Sequence, residues 1–454
     1  MNIAELKILF ALEPSWTVSV NGKEFFHLQS NEIEIEDPRL RFGRFTRKIL
    51  EAQCVRTNVV RVRARSKLRS QIDVLTFYAG EKLPSAAELQ KRRRSFQRLL
   101  APAVAQYYGE RISGQVLHSD KQHGIGGAYP RLLAGRAQGV IAVDPDESAP
   151  VVNGIVRAAI QWAAVARRRI SIVVPAGRTQ TIAARLRAMP ALRKAFEWLE
   201  WDEESLRSLR WNTADVETHV YPCIEPNVRS EVERICAIAP ELLQAVPHIP
   251  GRAISIRLRG LEVARVAEGE TTFPLGEPIE QVIEELAKAR SAGSRHPLAR
   301  AHEEAWLESN LMRQISDLLP VREDCIYPQV PSFAGDERKI IDLLTVTDSG
   351  RLAVIEIKAS PDPDLPFQAF DYWLAVERHR KAGDFKKQGY FPGCSLKDEP
   401  AMLILVCPLL AYHKTLGQLI AVFPDDVPLM ELGINQAWKR EIKILRRRGP
   451  SVRL

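Results

Sequence analysis

The sequence predicts an α/β protein built from consecutive modules: a β-rich N-terminal region, an α/β middle unit and an α/β C-terminal domain. Three stretches carry that prediction. Before residue 84, "TVSV", "NEIEIED" and "NVVRVRARSKLRSQIDVLTFY" bring β-branched runs with partial apolar/polar alternation, the period of a half-buried strand. From 139 to 177, "GVIAVDPDESAPVVNGIVRAAIQWAAVARRRISIVVPAG" reads as strand, long helix and strand. From 338 to 360, "RKIIDLLTVTDSGRLAVIEIKAS" reads as two apolar strands around a tight turn, with a helix and a further strand behind it. A chain of 454 residues exceeds what one core fills, and the expected segments are 1–110, 111–210, 211–296 and 297–454.

Each element has a local reason. "SAAELQKRRRSFQRLLAPAVAQYY" opens with a Ser-x-x-Glu capping box at Ser85 and Glu88, so a helix follows the first strands. Residues 178–210 read as largely helical. "AISIRLRGLEVARVAEGE" predicts a hairpin and "EPIEQVIEELAKARSA" an acidic helix. "GSRHP" then marks a boundary, because Gly293 and Pro297 both punctuate helices. Beyond it, Asp364 is placed to cap a helix whose first turn holds Pro366, and Phe367, Phe370 and Leu374 form its apolar stripe.

The middle unit also invites comparison with the C-terminal domain. Val140 onward and Val354 onward share strand, Pro/Asp-rich loop, long helix and closing strand in one order. Ala142 falls where Glu356 stands and Asp144 where Lys358 stands, so the middle unit reads as a degenerate copy without the acid and the amine. The bland alternative is that strand-helix-strand units recur in unrelated proteins.

Composition excludes several classes. Lys and Arg number 64 against 56 Asp and Glu, and the formal charge of +8 allows an anionic partner without demanding one. Charged and apolar fractions of 26% and 45% are those of a globular chain rather than a disordered or membrane protein. By this reading no apolar run reaches the ~18 residues of a spanning helix, and "MNIAELKILFALEPSW" lacks a basic n-region, so a cytoplasmic protein with no membrane partner is expected. The six cysteines are scattered without a Cys-x-x-Cys pair, which argues against a zinc site or a disulfide framework. "HEEAW" at His302 lacks the second histidine of a zinc hydrolase. Gly124-x-Gly126 is followed by Pro130, which forbids the helix a dinucleotide loop needs, so no organic cofactor is expected.

The chemistry concentrates in the hairpin. If "DSG" is a three-residue loop with Gly350 in the left-handed conformation, Thr347 faces Arg351 and Asp342 faces Glu356. Side chains alternate at period two, so Glu356 and Lys358 share a face while Ile355 and Ile357 point away. A two-residue turn would scatter them, since a one-residue slip exchanges faces. Two converging carboxylates repel unless a cation lies between them. Mg²⁺ suits the place: Asp342, Glu356 and the Ile357 carbonyl offer hard oxygen ligands, and Lys358 stands beside them to orient water and offset charge growing on phosphorus.

These residues carry a resemblance. "IID", a hairpin and "EIK", with an acidic helix before and a Gln-containing helix after, resemble the PD-(D/E)XK nuclease superfamily over roughly residues 300–410. In "QAFDY", Gln368 and Tyr372 match the Gln-x-x-x-Tyr helix motif of the branch that includes the exonuclease domain of the bacterial recombination helicase-nuclease. Ile341 stands where the superfamily name has Pro, a position that varies among members. The resemblance implies a restriction-endonuclease-like αβββαβ core, dependence on Mg²⁺ or Mn²⁺, and hydrolysis of DNA. It also implies a helical glutamate near the metal. Glu304 and Glu308 share a helix face at i and i+4 and both remain candidates, with Glu308 the preferred one.

The expectation is therefore a metal-dependent phosphodiesterase acting on DNA, with Asp342, Glu356, Lys358 and Glu308 at its centre and Gln368 and Tyr372 positioning substrate. Its rivals are a nuclease-derived module that binds nucleic acid or protein without cutting, and a structural protein in which Asp342 and Lys358 merely pair at a sheet surface. Basic clusters at Lys91–Arg94, Arg167–Arg169 and in "WKREIKILRRR" read either as phosphate-tracking surfaces or as solvated faces.

Overall fold

Alternating patterns before residue 84 form an antiparallel sheet of seven strands between Ser15 and Ala79, preceded by a helix, Ile3–Ala11. The computed structural model describes residues 1–454 apart from 22–23, 44, 57, 67–71, 81–85, 121–124, 203–204, 212–217, 224–225, 250–251, 335–336 and 450–454. Ser85, the expected cap, and Gly124 lie outside the described residues. The chain divides into two units that interleave in sequence: Met1–Leu83, Cys223–Ile315 and Ala437–Ile442 form one, and Pro84–Pro222, Ser316–Gln436 and Lys443–Leu454 the other. Four consecutive segments do not anticipate this. Gly293 and Pro297 both fall inside the first unit.

In the first unit, Val60, Val62 and Ala64 are buried while Arg61, Arg63 and Arg65 between them are exposed. Cross-strand pairing sets Arg39, Lys48 and Arg65 in one row across three strands. A second antiparallel sheet runs from Leu243 to Thr272. Its hairpin turns at Arg259 and Gly260, both at positive φ, and a Cβ at Gly260 would lie 2.2 Å from the Ala305 backbone. The acidic helix Ile279–Ala289 buries Val282, Ile283 and Leu286.

The second unit holds two six-stranded sheets. The first follows helix α1 (Ala86–Tyr108) and contains β1 (Ile112–Val116), β2 (Arg131–Ala134), β3 (Gln138–Ala142), β4 (Arg169–Pro175), β5 (Glu197–Trp201) and β6 (Leu206–Ser208). Helix α2 (Ile155–Ala166) connects β3 to β4, and α3 (Gln180–Ala188) lies between β4 and β5. The other sheet, which follows in sequence helix α4 (Glu303–Leu318), a helix of the first unit as far as Ile315, begins with β7 (Tyr327–Ala334), β8 (Glu337–Val346) and β9 (Leu352–Ile357). Helix α5 (Leu365–Ala382) leads to β10 (Met402–Pro408), and α6 (Leu416–Ile420) to β11 (Leu429–Ile434) and β12 (Ile444–Arg448).

Both sheets run in simple sequence order. In each, the first three strands are antiparallel, the third, fourth and fifth are mutually parallel, and the sixth returns antiparallel. The long helix sits at the same crossover in both.

Three local readings change. Glu197–Trp201 and Leu206–Ser208, within the stretch read as helical, are strands β5 and β6: the Trp198, Leu199 and Trp201 side chains are buried because β5 is sandwiched between neighbouring strands of a covered sheet. Helix α1, grouped by sequence with the first strands, belongs instead to the second unit, where Phe96, Leu100 and Val104 share a core with Leu132, Val140 and Leu199. The stretch Ala149–Ala166 does reach the length and apolarity of a spanning segment, but half of it is buried and Val156, Ala158, Ala159 and Trp162 are core residues. Cys325 and Cys394, 69 positions apart, bring their sulfurs to 2.8 Å.

Candidate active site

The turn after β8 is the three-residue loop Asp348–Gly350. Gly350 has φ +89°, its N–H donates to the Thr347 carbonyl at 2.8 Å, and Thr347 N–H donates to the Arg351 carbonyl at 2.8 Å. Pairing then steps back through Val346–Leu352, Thr345–Ala353, Leu344–Val354 and Leu343–Ile355. The next pair in this register is Asp342 with Glu356, where the ladder gives way to a side-chain bond: the Ile357 N–H donates to Asp342 Oδ2 at 2.8 Å. In an extended strand a residue's N–H and C=O project to the same side, so the Ile357 carbonyl faces the same edge as the Asp342 carboxylate.

Glu356 and Lys358 lie on one face, with Lys358 Nζ 3.2 Å from Glu356 Oε1. Glu356 is fully buried and Lys358 is 7% exposed. Both are held by the sheet: Glu356 pairs with Leu405 on β10, and the Lys358 N–H donates to the Val406 carbonyl at 3.0 Å. A carboxylate and an ammonium this deep in a protein are sustained only by close pairing.

Helix α5 packs on β9 and β10 and adds the remaining polar groups. Gln368 Nε2 donates to the Tyr372 hydroxyl at 3.0 Å. Burial raises the Tyr372 phenol above its ordinary value, as do the Glu356 and Asp342 carboxylates, against the opposing influence of the Gln368 hydrogen bond and the Lys358 charge. Tyr372 thus stays a protonated donor in the field of all three residues. Five predicted side chains, Asp342, Glu356, Lys358, Gln368 and Tyr372, come together around the Ile357 backbone.

Glu308 belongs to the first unit. It is buried there, and Arg257 Nη1 donates to its Oε1 at 3.1 Å. Glu304, one turn earlier, is exposed. Among the described residues no group of three or more His, Cys, Asp and Glu side chains is arranged to hold a metal ion. A divalent cation still fits the donor set, since Asp342, Glu356 and the Ile357 carbonyl are all hard oxygen ligands and such ions retain several waters.

Asp364 does not cap α5 with its side chain; Arg157 Nε donates to its Oδ1 at 2.6 Å. The expected apolar stripe understates the helix, which buries Phe367 and Phe370 but also Tyr372, Trp373 and Val376, and leaves Leu374 half-buried. Sequence reasoning also missed Arg185, which grips Asp371 with two bonds of 2.8 and 2.9 Å. Nothing local announces partners 186 and 207 positions apart.

At the matching place in the other sheet, Val140 pairs with Leu132 and the Ala142 N–H donates to the Pro130 carbonyl at 3.0 Å. The Ala142 N–H points to the antiparallel neighbour, as that of Ile357 does, and the Val143 N–H donates to the Val173 carbonyl as that of Lys358 does to Val406, so the sequence alignment shifts by one residue and the pair Arg131–Ile141 stands at the places of Asp342 and Glu356. Asp144, 3% exposed, receives the Asp146 N–H at 2.9 Å and lies 3.4 Å from Arg92. Glu147 binds Arg93 at 2.6 Å and Arg92 at 3.0 Å. Burial opposes its ionisation, yet these two guanidiniums hold Glu147 below its usual range.

A cavity of about 570 Å³ lined by Arg351, Phe423, Asp425, Glu431 and Arg448 opens near the hairpin turn, at the end of β9 remote from Glu356. No family model matches the chain, and no curated protein matches it in sequence.

Proposed function

We propose that this protein is a metal-dependent nuclease that hydrolyses phosphodiester bonds in DNA. The observation carrying the proposal is the convergence of Asp342 and Glu356 from adjacent strands beside a buried Lys358. The order α4, β7, β8, β9, α5, β10 supports a restriction-endonuclease-like αβββαβ core.

Asp342, Glu356 and the Ile357 carbonyl would hold Mg²⁺ or Mn²⁺. When bound, the ion supplies Lewis-acid stabilisation of a phosphate that gains charge and eases loss of a proton from water. Lys358 orients the attacking water and offsets negative charge on the phosphoryl oxygens. Tyr372 accepts from Gln368 and keeps its own O–H to donate to a phosphate oxygen. Glu308, in the first unit and engaged by Arg257, is left out of the proposed centre. The exposed Arg39, Lys48, Arg61 and Arg65 on one sheet face of the first unit, and Arg446–Arg448 on edge strand β12, favour a polyanionic partner.

The test is incubation of the purified chain with labelled single- and double-stranded DNA, in Mg²⁺, in Mn²⁺ and in EDTA, alongside Glu356→Gln and Lys358→Ala. Cleavage only with metal, lost in both variants, supports the proposal. Equal cleavage by the variants would overturn it, and tight binding by the wild type without cutting would favour a nuclease-derived binding module.

A further inference from the structure

The two sheets of the second unit share strand order and direction, and their helices meet in exchanged pairs. Helices α2 and α5 occupy the same crossover in the two halves, as do α3 and α6. Across the halves, α2 meets α6, with Gln161 Nε2 donating to Thr415 Oγ1 at 3.1 Å. Helix α5 meets α3, through Arg185 and Asp371. The first half's crossover helix thus touches the second half's following helix, and the reverse also holds. Reciprocal exchange of this kind is what a two-fold axis imposes on an isologous interface. Near the middle, Arg157 of α2 reaches Asp364 at the start of α5.

We infer that residues 84–222 act in cis as the silent partner of a two-fold pair, and that Arg185 and Arg157 are positioning residues that set the helix carrying Gln368 and Tyr372. This rests on the nuclease reading only for its consequence in catalysis. Arg185 is 3% exposed and makes three fixed contacts: both oxygens of Asp371, the Asn153 carbonyl at 2.8 Å, and the Phe367 ring with its guanidinium carbon 5.0 Å from the centroid. Asp371 directly precedes Tyr372, and successive helical residues differ by about 100° around the axis. A planar guanidinium gripping Asp371 therefore fixes the rotation of α5, and with it the direction of Tyr372. Asp364 lies one turn before Gln368, so Arg157 sets where the helix begins. In the silent half, Arg131 and Ile141 stand in place of the acids, and the retained scaffold serves the neighbouring module.

Exchanging the charges tests the inference in the full chain. Hydrogen exchange of α5 peptides, thermal melting and metal-dependent DNA cleavage are measured for Arg185→Asp, Asp371→Arg and the double exchange, with Arg185→Lys as a milder variant that keeps the charge but not the fork. Each single exchange is expected to speed α5 exchange by about tenfold and to lower kcat by about 100-fold with KM for DNA within twofold. The double exchange is expected to recover most of both, and Arg185→Lys to fall between. If α5 exchange in Arg185→Asp and Arg185→Lys equals that of the wild type, or the double exchange recovers nothing, the positioning role is overturned. A wild type that cuts no DNA in any metal overturns the nuclease reading instead, while the exchange measurements still decide the role of Arg185.

Discussion

The ends of β3 and β9 occupy the same place in two sheets of the same order, yet one closes on Arg131, Ile141 and an arginine-bound acidic loop and the other on Asp342, Glu356 and Lys358. The sheet supplies a fixed set of addresses: a position across the hairpin, one at the strand's end and one two residues beyond. What stands at those addresses is independent of what forms the strands. Where an acid pair is absent, Arg92 and Arg93 of α1 both bind Glu147, Arg92 lies 3.4 Å from Asp144, and the location becomes a structural ion cluster.

Substitutions at matched addresses sharpen this contrast. The largest effect is expected from Glu356→Gln or Lys358→Ala, each lowering metal-dependent DNA cleavage by about 10³-fold, whereas Asp144→Asn leaves the rate within about twofold; a gel assay of labelled duplex separates the outcomes. Next, Arg93→Ala, which leaves Glu147 with Arg92, or Glu147→Ala is expected to cost about 2 kcal/mol in urea unfolding through the lost charged hydrogen bonds. Because Glu147 is held below its usual range when folded, its contribution is complete above the ordinary glutamate value and disappears as pH falls through the lowered one. The stability gap between wild type and Glu147→Gln should accordingly close toward acid, and an unchanged gap would refute the ion-cluster reading.

A smaller effect concerns the strand interiors. Gly139 and Ala353 lie near the starts of β3 and β9. A Cβ at Gly139 would meet Trp162 Cη2 at 2.8 Å and Ile170 Cδ1 at 2.9 Å. Gly139→Ala should therefore destabilise by about 1–3 kcal/mol through overpacking, and Ala353→Gly by about 1 kcal/mol through lost backbone restriction, both read from thermal melts. The smallest effect belongs to the edges. Arg447→Ala on β12 should reduce the salt dependence of DNA binding by about one unit of slope. Arg207→Ala on β6, whose charge is already met by Glu200 and Asp202, should leave the slope unchanged.

Much of this arrangement was legible in the residues because it is local. A three-residue turn fixes the hairpin register, and the register fixes which acid faces which. The repeated strand, loop, helix and strand order was visible for the same reason. The rest depends on partners that only folding brings together. "EWLEW" carries no period that separates a strand buried on both faces from a helix, and the stretch 178–210 therefore reads as largely helical. Asp364 looks like a helix cap until Arg157, distant in sequence, takes its carboxylate. Glu308 looks like a free helical acid until Arg257 is seen against it.

The hairpin turn governs chemistry at a distance. Gly350 lies at the far end of β9 from Glu356, and a Cβ there would lie 2.5 Å from the Ser395 carbonyl oxygen. A side chain at that spot, or one residue gained or lost in the loop, would slide β8 against β9 and turn the carboxylates away from each other. Among viable descendants of this chain, drift in loop length is open to many surface connections and closed to this one.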